Sequence, residues 1–139
     1  MNWKAGASLE PLVVDPVEPE LMVPMATILD DPNPIHLDPE VVKELGYGDR
    51  VINQGPTNCG YVMNMLCRAV PGGQLIRFKA RFLGNVFGGE RVVAHGRVVT
   101  VTTPDDEVPQ LEVDVWLENG DGQKVLDGTA TIILESAQA

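Results

Sequence analysis

Asp31 and His36 lie five positions apart in the run Asp31-Pro32-Asn33-Pro34-Ile35-His36. A carboxylate beside an imidazole can hold a water and move its protons, because imidazole titrates near neutrality. The two prolines fix their own φ angles and push Asp31 and Asn33 toward extended backbone. The run therefore cannot belong to one regular helix, and the acid/base pair sits on a stiff connection between elements. The same six residues also suit an Asx-type turn that caps a helix. Asn33 reads as an orienter, since its amide exchanges no protons but can fix the turn or hold His36. His95 falls in a strand pattern and reads as a structural or surface histidine.

Elements on either side must position this pair. Residues 1–16 are Pro-punctuated and extended, with a short strand at Leu12 to Val14. Val17 to Leu29 is apolar with early acidic residues and predicts a helix, which Pro24 is expected to kink or break. Asp38 caps a short helix from Pro39 to about Leu45, with proline at its favoured first position. Gly55-Pro56-Thr57 opens a second, longer helix to about Val70, and Pro71-Gly72-Gly73 stops it. Cys59, Val62, Met63, Leu66, Cys67 and Val70 follow the spacing of a buried helical face, widened by Met65 and Ala69.

After residue 73 the period changes to two. Ile76, Phe78, Ala80 and Phe82 alternate with Arg77, Lys79 and Arg81. Leu111, Val113, Val115 and Leu117 alternate with Glu112, Asp114 and Trp116. Arg91 to Thr103 and Gln123 to Leu134 are rich in Val, Ile and Thr, so each of the four segments predicts a strand. Gly88-Gly89, Pro104-Asp105-Asp106 and Asn119-Gly120-Asp121-Gly122 mark the turns. Helices first and strands after define an α+β domain, and residues 1–139 read as a single domain.

The chain resembles the MaoC-like, R-specific enoyl-thioester hydratases. The resemblance rests on Asp31-x-Asn33-Pro34-Ile35-His36 followed by Leu37-Asp38-Pro39. It continues through Val51-Ile52-Asn53-Gln54-Gly55-Pro56-Thr57, then Phe78-Lys79-Ala80-Arg81-Phe82 and Phe87-Gly88-Gly89-Glu90-Arg91-Val92, in the family's order and spacing. Three positions depart from the pattern. Asp30 stands where many members have glycine, Gln54 replaces the usual His or Pro, and Gly60 falls where some members carry serine.

The resemblance implies a hot-dog fold, a long central helix wrapped by a curled antiparallel sheet. It implies that Asp31 and His36 hold a water and shuttle its protons during R-specific hydration of a trans-2-enoyl thioester. It also implies that a backbone N–H at the start of the central helix binds the thioester oxygen. A helix start offers unpaired N–H groups and the positive end of the dipole, and glycine lets the backbone approach closely. Pro56 cannot donate, which leaves Gly55, Thr57 or a neighbour as the donor, and Gln54 as a further substrate contact. Such a reaction uses no metal and no redox cofactor. Its carrier is coenzyme A or an acyl carrier protein. The family builds its sites from two hot-dog units, so the chain is expected to form a homodimer or to pair with a related chain. In the pairing case it could serve as one subunit of a heteromeric hydratase. A hot-dog thioesterase is the third reading, and the absence of Asp or Glu from Thr57 to Val70 counts against it.

Composition limits the alternatives. A length of 139 residues supports one real core, and 44% apolar residues fit a globular chain. No apolar run approaches the roughly 20 residues of a membrane span, and the N-terminus lacks the apolar core of a signal peptide, so a cytoplasmic location is expected. Cys59 and Cys67 are too far apart along one helix to bridge, and two cysteines without further ligands do not suit zinc. They read as buried small apolar groups. A net charge of −10 argues against nucleic acid. Residues 68–97 run the other way, with six cations against Glu90 alone, a net of +5 that leaves −15 on the remainder. That basic segment could receive the phosphates of coenzyme A. Alternatively, Arg77, Lys79 and Arg81 could face Glu112 and Asp114 across neighbouring strands.

Overall fold

A computed structural model describes residues 2–104 and 108–135. Its strands are β1 (Leu12–Val14), β2 (Gln74–Phe82), β3 (Val92–Thr102), β4 (Gln110–Glu118) and β5 (Lys124–Ile133). Its α-helices are α1 (Met22–Ile28), α2 (Pro39–Glu44) and α3 (Gly55–Ala69), with 3-10 turns at Pro19–Leu21 and Pro34–His36. The strands form one open antiparallel sheet in the order β1-β3-β4-β5-β2. This is the hot-dog fold, with α3 as the filling. The expected turn at 104–106 lies outside the described residues apart from Pro104.

The core lies between α3 and the concave face of the sheet. Val62, Met65 and Leu66 of α3 meet Val92, Ala94 and Val98 of β3, Leu111 to Leu117 of β4, and Leu126, Ala130 and Ile132 of β5. Each such buried Val, Leu, Ile or Met side chain contributes roughly 1.5–3 kcal/mol. Gly96 lets the helix come close, since a Cβ there would lie 3.1 Å from Met65 Cε and 2.8 Å from Leu9 Cδ1. The N-terminal segment seals the β3 edge through Gly6 N–H to Val98 O, Leu9 N–H to Gly96 O, and the β1 ladder.

Four expectations need correction. Pro24 neither kinks nor breaks α1. The chain runs as a 3-10 turn to Leu21 and starts its α-helix at Met22, so Pro24 falls in the first turn, where its missing N–H has no helical acceptor to lose. The buried face of α3 is Asn58, Val62, Met65, Leu66 and Ala69. Cys59 and Met63 are half-buried and Cys67 is exposed, because the sheet curls around one side of the helix and leaves the other uncovered. Burial nonetheless pushes the Cys59 thiol up, which disfavours the thiolate.

The apolar alternation of β2 does not bury that strand. A bulge between Leu75 and Arg77 turns Ile76 outward, and Ile76 and Phe82 are 50% and 55% exposed. The basic strand also has a different neighbour from the one its charges suggested. β2 pairs β5, not β4, so Arg81 grips Asp127 through two 3.0 Å bonds. Glu112 instead accepts from the Thr131 hydroxyl. Arg77 and Lys79 stand opposite Thr131 and Thr129.

Candidate active site

The carboxylate comes off the end of α1. Asp31 N–H donates to Ala26 O at 2.9 Å and Asp30 N–H to Thr27 O at 3.3 Å. That paired pattern is a Schellman cap, with Asp30 as its left-handed residue at φ +50°. The position favours glycine. Asp30 itself is exposed.

Asp31 then serves two partners. Its Oδ1 accepts from Asn33 N–H at 3.1 Å, closing an Asx turn. Its Oδ2 lies 3.1 Å from His36 Nε2. The turn is therefore formed and the carboxylate also reaches the imidazole, through different oxygens. Asn33 Oδ1 accepts from Ile35 N–H and caps the 3-10 turn that carries His36, so Asn33 shapes the connection.

His36 is only 7% exposed. Its Nδ1 lies 2.6 Å from Ile52 O, and a carbonyl can only accept, so Nδ1 carries a hydrogen. Nε2 can then donate to Asp31 only as imidazolium, or accept from a protonated carboxyl. A proton carried by Nε2 or by Oδ2 would lie between the two atoms, an arrangement a water-activating dyad can use. Ile52 is also tied to Ile35 O through its N–H, and Asn53 N–H to Val86 O. The segment that fixes the imidazole ring leads, three residues on, into α3.

Gly55 is the first residue of α3, and among the described residues no acceptor meets its N–H. A Cβ at Gly55 would lie 2.9 Å from Phe82 Cζ, so the aromatic ring rests where any other side chain would start. The glycine thus serves Phe82, at the end of β2, as much as any ligand. Phe82 belongs to the Phe78–Phe82 segment of the resemblance, but its packing on Gly55 was not legible in the chain.

The other candidates diverge. Gln54 is fully buried, and its Nε2 donates to Met22 O at 2.8 Å, tying α1 to the start of α3. Its side chain does not reach the surface of the site. Gln54 Oε1 and Thr57 Oγ1 are both buried without partners. Beside them stands a network that sequence reasoning missed: Asn53 Nδ2 donates to Asn58 Oδ1 at 2.8 Å and to Tyr61 OH at 3.2 Å. Burial pushes the Tyr61 phenol up, and the Asn53 bond partly opposes that shift. The signal was an asparagine, Asn58, within an apolar helical stripe.

Two hollows flank α1. One, of about 320 Å³, reaches His36 and is lined also by Pro19, Val23, Arg50 and Val51. The other, of about 240 Å³, lies between α1 and α3 and is lined by Pro24, Met25, Ile28, Asn53, Thr57 and Tyr61. His95 is remote from both in role: it stacks on Trp116 at 5.2 Å and lies 3.5 Å from Glu118.

A hot-dog domain with an Asp–His pair at the end of its first helix defines the class of protein. A profile of the MaoC-like domain matches residues 4–119, and the chain belongs to that family. No curated protein matches by sequence. The fold is shared with the (R)-hydratase from A. caviae involved in PHA biosynthesis, at 21% identity, covering 96% of this chain and 98% of that one, with a TM-score of 0.85. The unliganded R-hydratase PhaJ1 from Pseudomonas aeruginosa is 19% identical, with 95% and 82% covered and a TM-score of 0.83. The ChsH1-ChsH2 complex from Mycobacterium tuberculosis is also 19% identical, with 95% and 98% covered and a TM-score of 0.80. At these identities the likeness is one of fold. Among the described residues no helix is long and apolar enough to cross a membrane.

Proposed function

We propose that the protein is an R-specific hydratase that adds water across a trans-2-enoyl thioester to give an R-3-hydroxyacyl thioester. The observation that carries this reading is the 3.1 Å Asp31–His36 contact, with Ile52 O holding the far side of the ring. The pair holds a water, takes a proton as its oxygen attacks the β carbon, and returns a proton to the α carbon. Charge that develops on the thioester oxygen meets the unpaired N–H of Gly55 at the positive end of α3. One such donor is worth about 3 kcal/mol in the transition state. The stereochemistry rests on family membership and on the R-hydratase neighbours. The substrate is an acyl-CoA or an acyl-carrier-protein thioester.

The partner is a second hot-dog chain, either another copy or a related subunit. Two structural neighbours that are complexes, ChsH1-ChsH2 and HadBC, support the heteromeric reading, in which this chain alone has little activity. A thioesterase is disfavoured because α3 contains no carboxylate. The test follows loss of enoyl-thioester absorbance with purified protein and a panel of trans-2-enoyl-CoAs. Asp31→Asn and His36→Ala should each lower kcat/KM by about 10²–10⁴-fold while far-UV circular dichroism is unchanged. Hydration that survives both substitutions would remove the dyad from the mechanism. No hydration by the folded protein would move the assignment to the partner-subunit reading.

A further inference from the structure

Asn53 and Asn58 are buried polar residues to which the mechanism above gives no part. Asn53 follows Ile52, whose carbonyl oxygen lies 2.6 Å from His36 Nδ1. A peptide unit is planar and includes the Cα of the following residue, so the Ile52 carbonyl and the Asn53 Cα move as one body. That body is held on three sides. Its carbonyl meets the imidazole, its N–H donates to Val86 O at 2.7 Å, and the Asn53 side chain reaches across to α3. There the two hydrogens of the Asn53 amide go to Asn58 Oδ1 at 2.8 Å and to Tyr61 OH at 3.2 Å. Asn58 and Tyr61 are three residues apart, on one face of the helix that begins at Gly55. The chain of contacts therefore runs from the imidazole through one peptide unit to the helix whose first N–H is assigned to the thioester oxygen.

We propose that Asn53 is a positioning residue for His36: its amide clamps the Ile52–Asn53 peptide to α3, so that the Ile52 carbonyl holds the imidazole in one tautomer and in one place relative to Gly55. This inference rests on the hydratase reading above. Stability alone is a poor reason for such a network, since apolar groups of the same shape would serve a core nearly as well. What a satisfied buried network adds is a single arrangement of the parts it joins. The imidazole needs that arrangement because its neutral form has two tautomers. Only the one with its hydrogen on Nδ1 can bond a carbonyl, and it leaves Nε2 free to accept on the side of Asp31. Without the Asn53 amide, two acceptors on α3 lose their donor, and the side-chain hold on the peptide is gone. Its N–H bond to Val86 O remains, and the carbonyl can turn about it. The ring then samples the other tautomer, with its hydrogen on Nε2.

The test pairs 15N NMR of the neutral His36 ring, which needs no turnover, with hydration of a trans-2-enoyl-CoA. The parent should show one tautomer, with the hydrogen on Nδ1. Asn53→Ala should show a mixture of the two and lower kcat by about 10–100-fold with KM unchanged, the scale of a small misplacement of a reacting group. Asn58→Ala leaves Tyr61 as an acceptor, so it should move both readouts in the same direction by less, and it carries the test if Asn53→Ala fails to fold. Val62→Ala cuts a cavity under the same helix and is the control for lost stability: it should keep the single tautomer and the parent kcat. A folded Asn53→Ala protein with the parent's tautomer or the parent's kcat would overturn the assignment. So would a rise in KM at constant kcat, or a Val62→Ala protein that loses as much. If the parent hydrates nothing while Asn53→Ala still mixes the tautomers, the hydratase reading falls and the clamp on the ring stands. Hydration by the parent with no change in Asn53→Ala removes the clamp and leaves the hydratase.

Discussion

Asp30 is where residue type and backbone disagree. It adopts φ +50° at the left-handed position of the α1 cap, where a non-glycine residue costs roughly 1–2 kcal/mol, somewhat less for Asp. Its carboxylate also sits at the negative end of the helix dipole, adverse by about 0.3–1 kcal/mol. Asp30→Gly removes both penalties and adds chain entropy to the unfolded state, which offsets part of the gain. The net expectation is a protein about 0.5–1 kcal/mol more stable, read as a higher urea midpoint at unchanged m. An Asp30→Gly protein that unfolds earlier than the parent would mean that Asp30 makes a contact worth more than its strain. The residues of the dyad were legible because Asp31-Pro32-Asn33-Pro34 constrains its own backbone. Which ring nitrogen of His36 carries the hydrogen was not, since it depends on Ile52 O, sixteen residues from His36 in the chain.

The helix α3 was legible in its start, its stop and its length, and illegible in its facing. Apolar residues occupy more than one stripe, and only the sheet decides which stripe is covered. Gly60 tests how much room the uncovered side has. A Cβ built there meets nothing within 4 Å. Glycine inside a helix costs about 1 kcal/mol relative to alanine. Gly60→Ala should therefore raise stability by about 1 kcal/mol in chemical denaturation. A loss of stability would place a neighbour in that space, and a second chain docked on α3 is the first to look for. The strands teach the complementary lesson. Their spans were readable from period-two patterning, but the pairing of β2 with β5 was not. Alternating cations and alternating anions name possible partners, whereas hydrogen-bonded register is set by connections and core packing.

At the scale of the molecule the two sheet edges are unlike. One ends in β1, three residues long and lying beside the N-terminal segment. The other ends in β2, nine residues long, with Ile76 and Phe82 exposed and Leu83 exposed just after it. A long apolar edge strand is an invitation to pair, and a partner there would lie beside Phe82 and hence beside Gly55. Ile76→Glu should abolish self-association in analytical ultracentrifugation while leaving the circular dichroism of the monomer intact, because Ile76 faces solvent at its bulge. Hydration should fall with it if the site needs two chains. Arg77 and Lys79 then decide what kind of partner fits. Two antiparallel copies of β2 bring these cations toward each other, and like charges opposed across strands destabilise the pair. Salt screens that repulsion, so a homodimer formed at this edge should tighten between 0.05 and 0.5 M salt, spanning Debye lengths of roughly 14 to 4 Å. A related subunit with an acidic edge should show the opposite sign, binding less tightly as salt rises. An Ile76→Glu protein that still sediments as the parent does would move the interface away from β2.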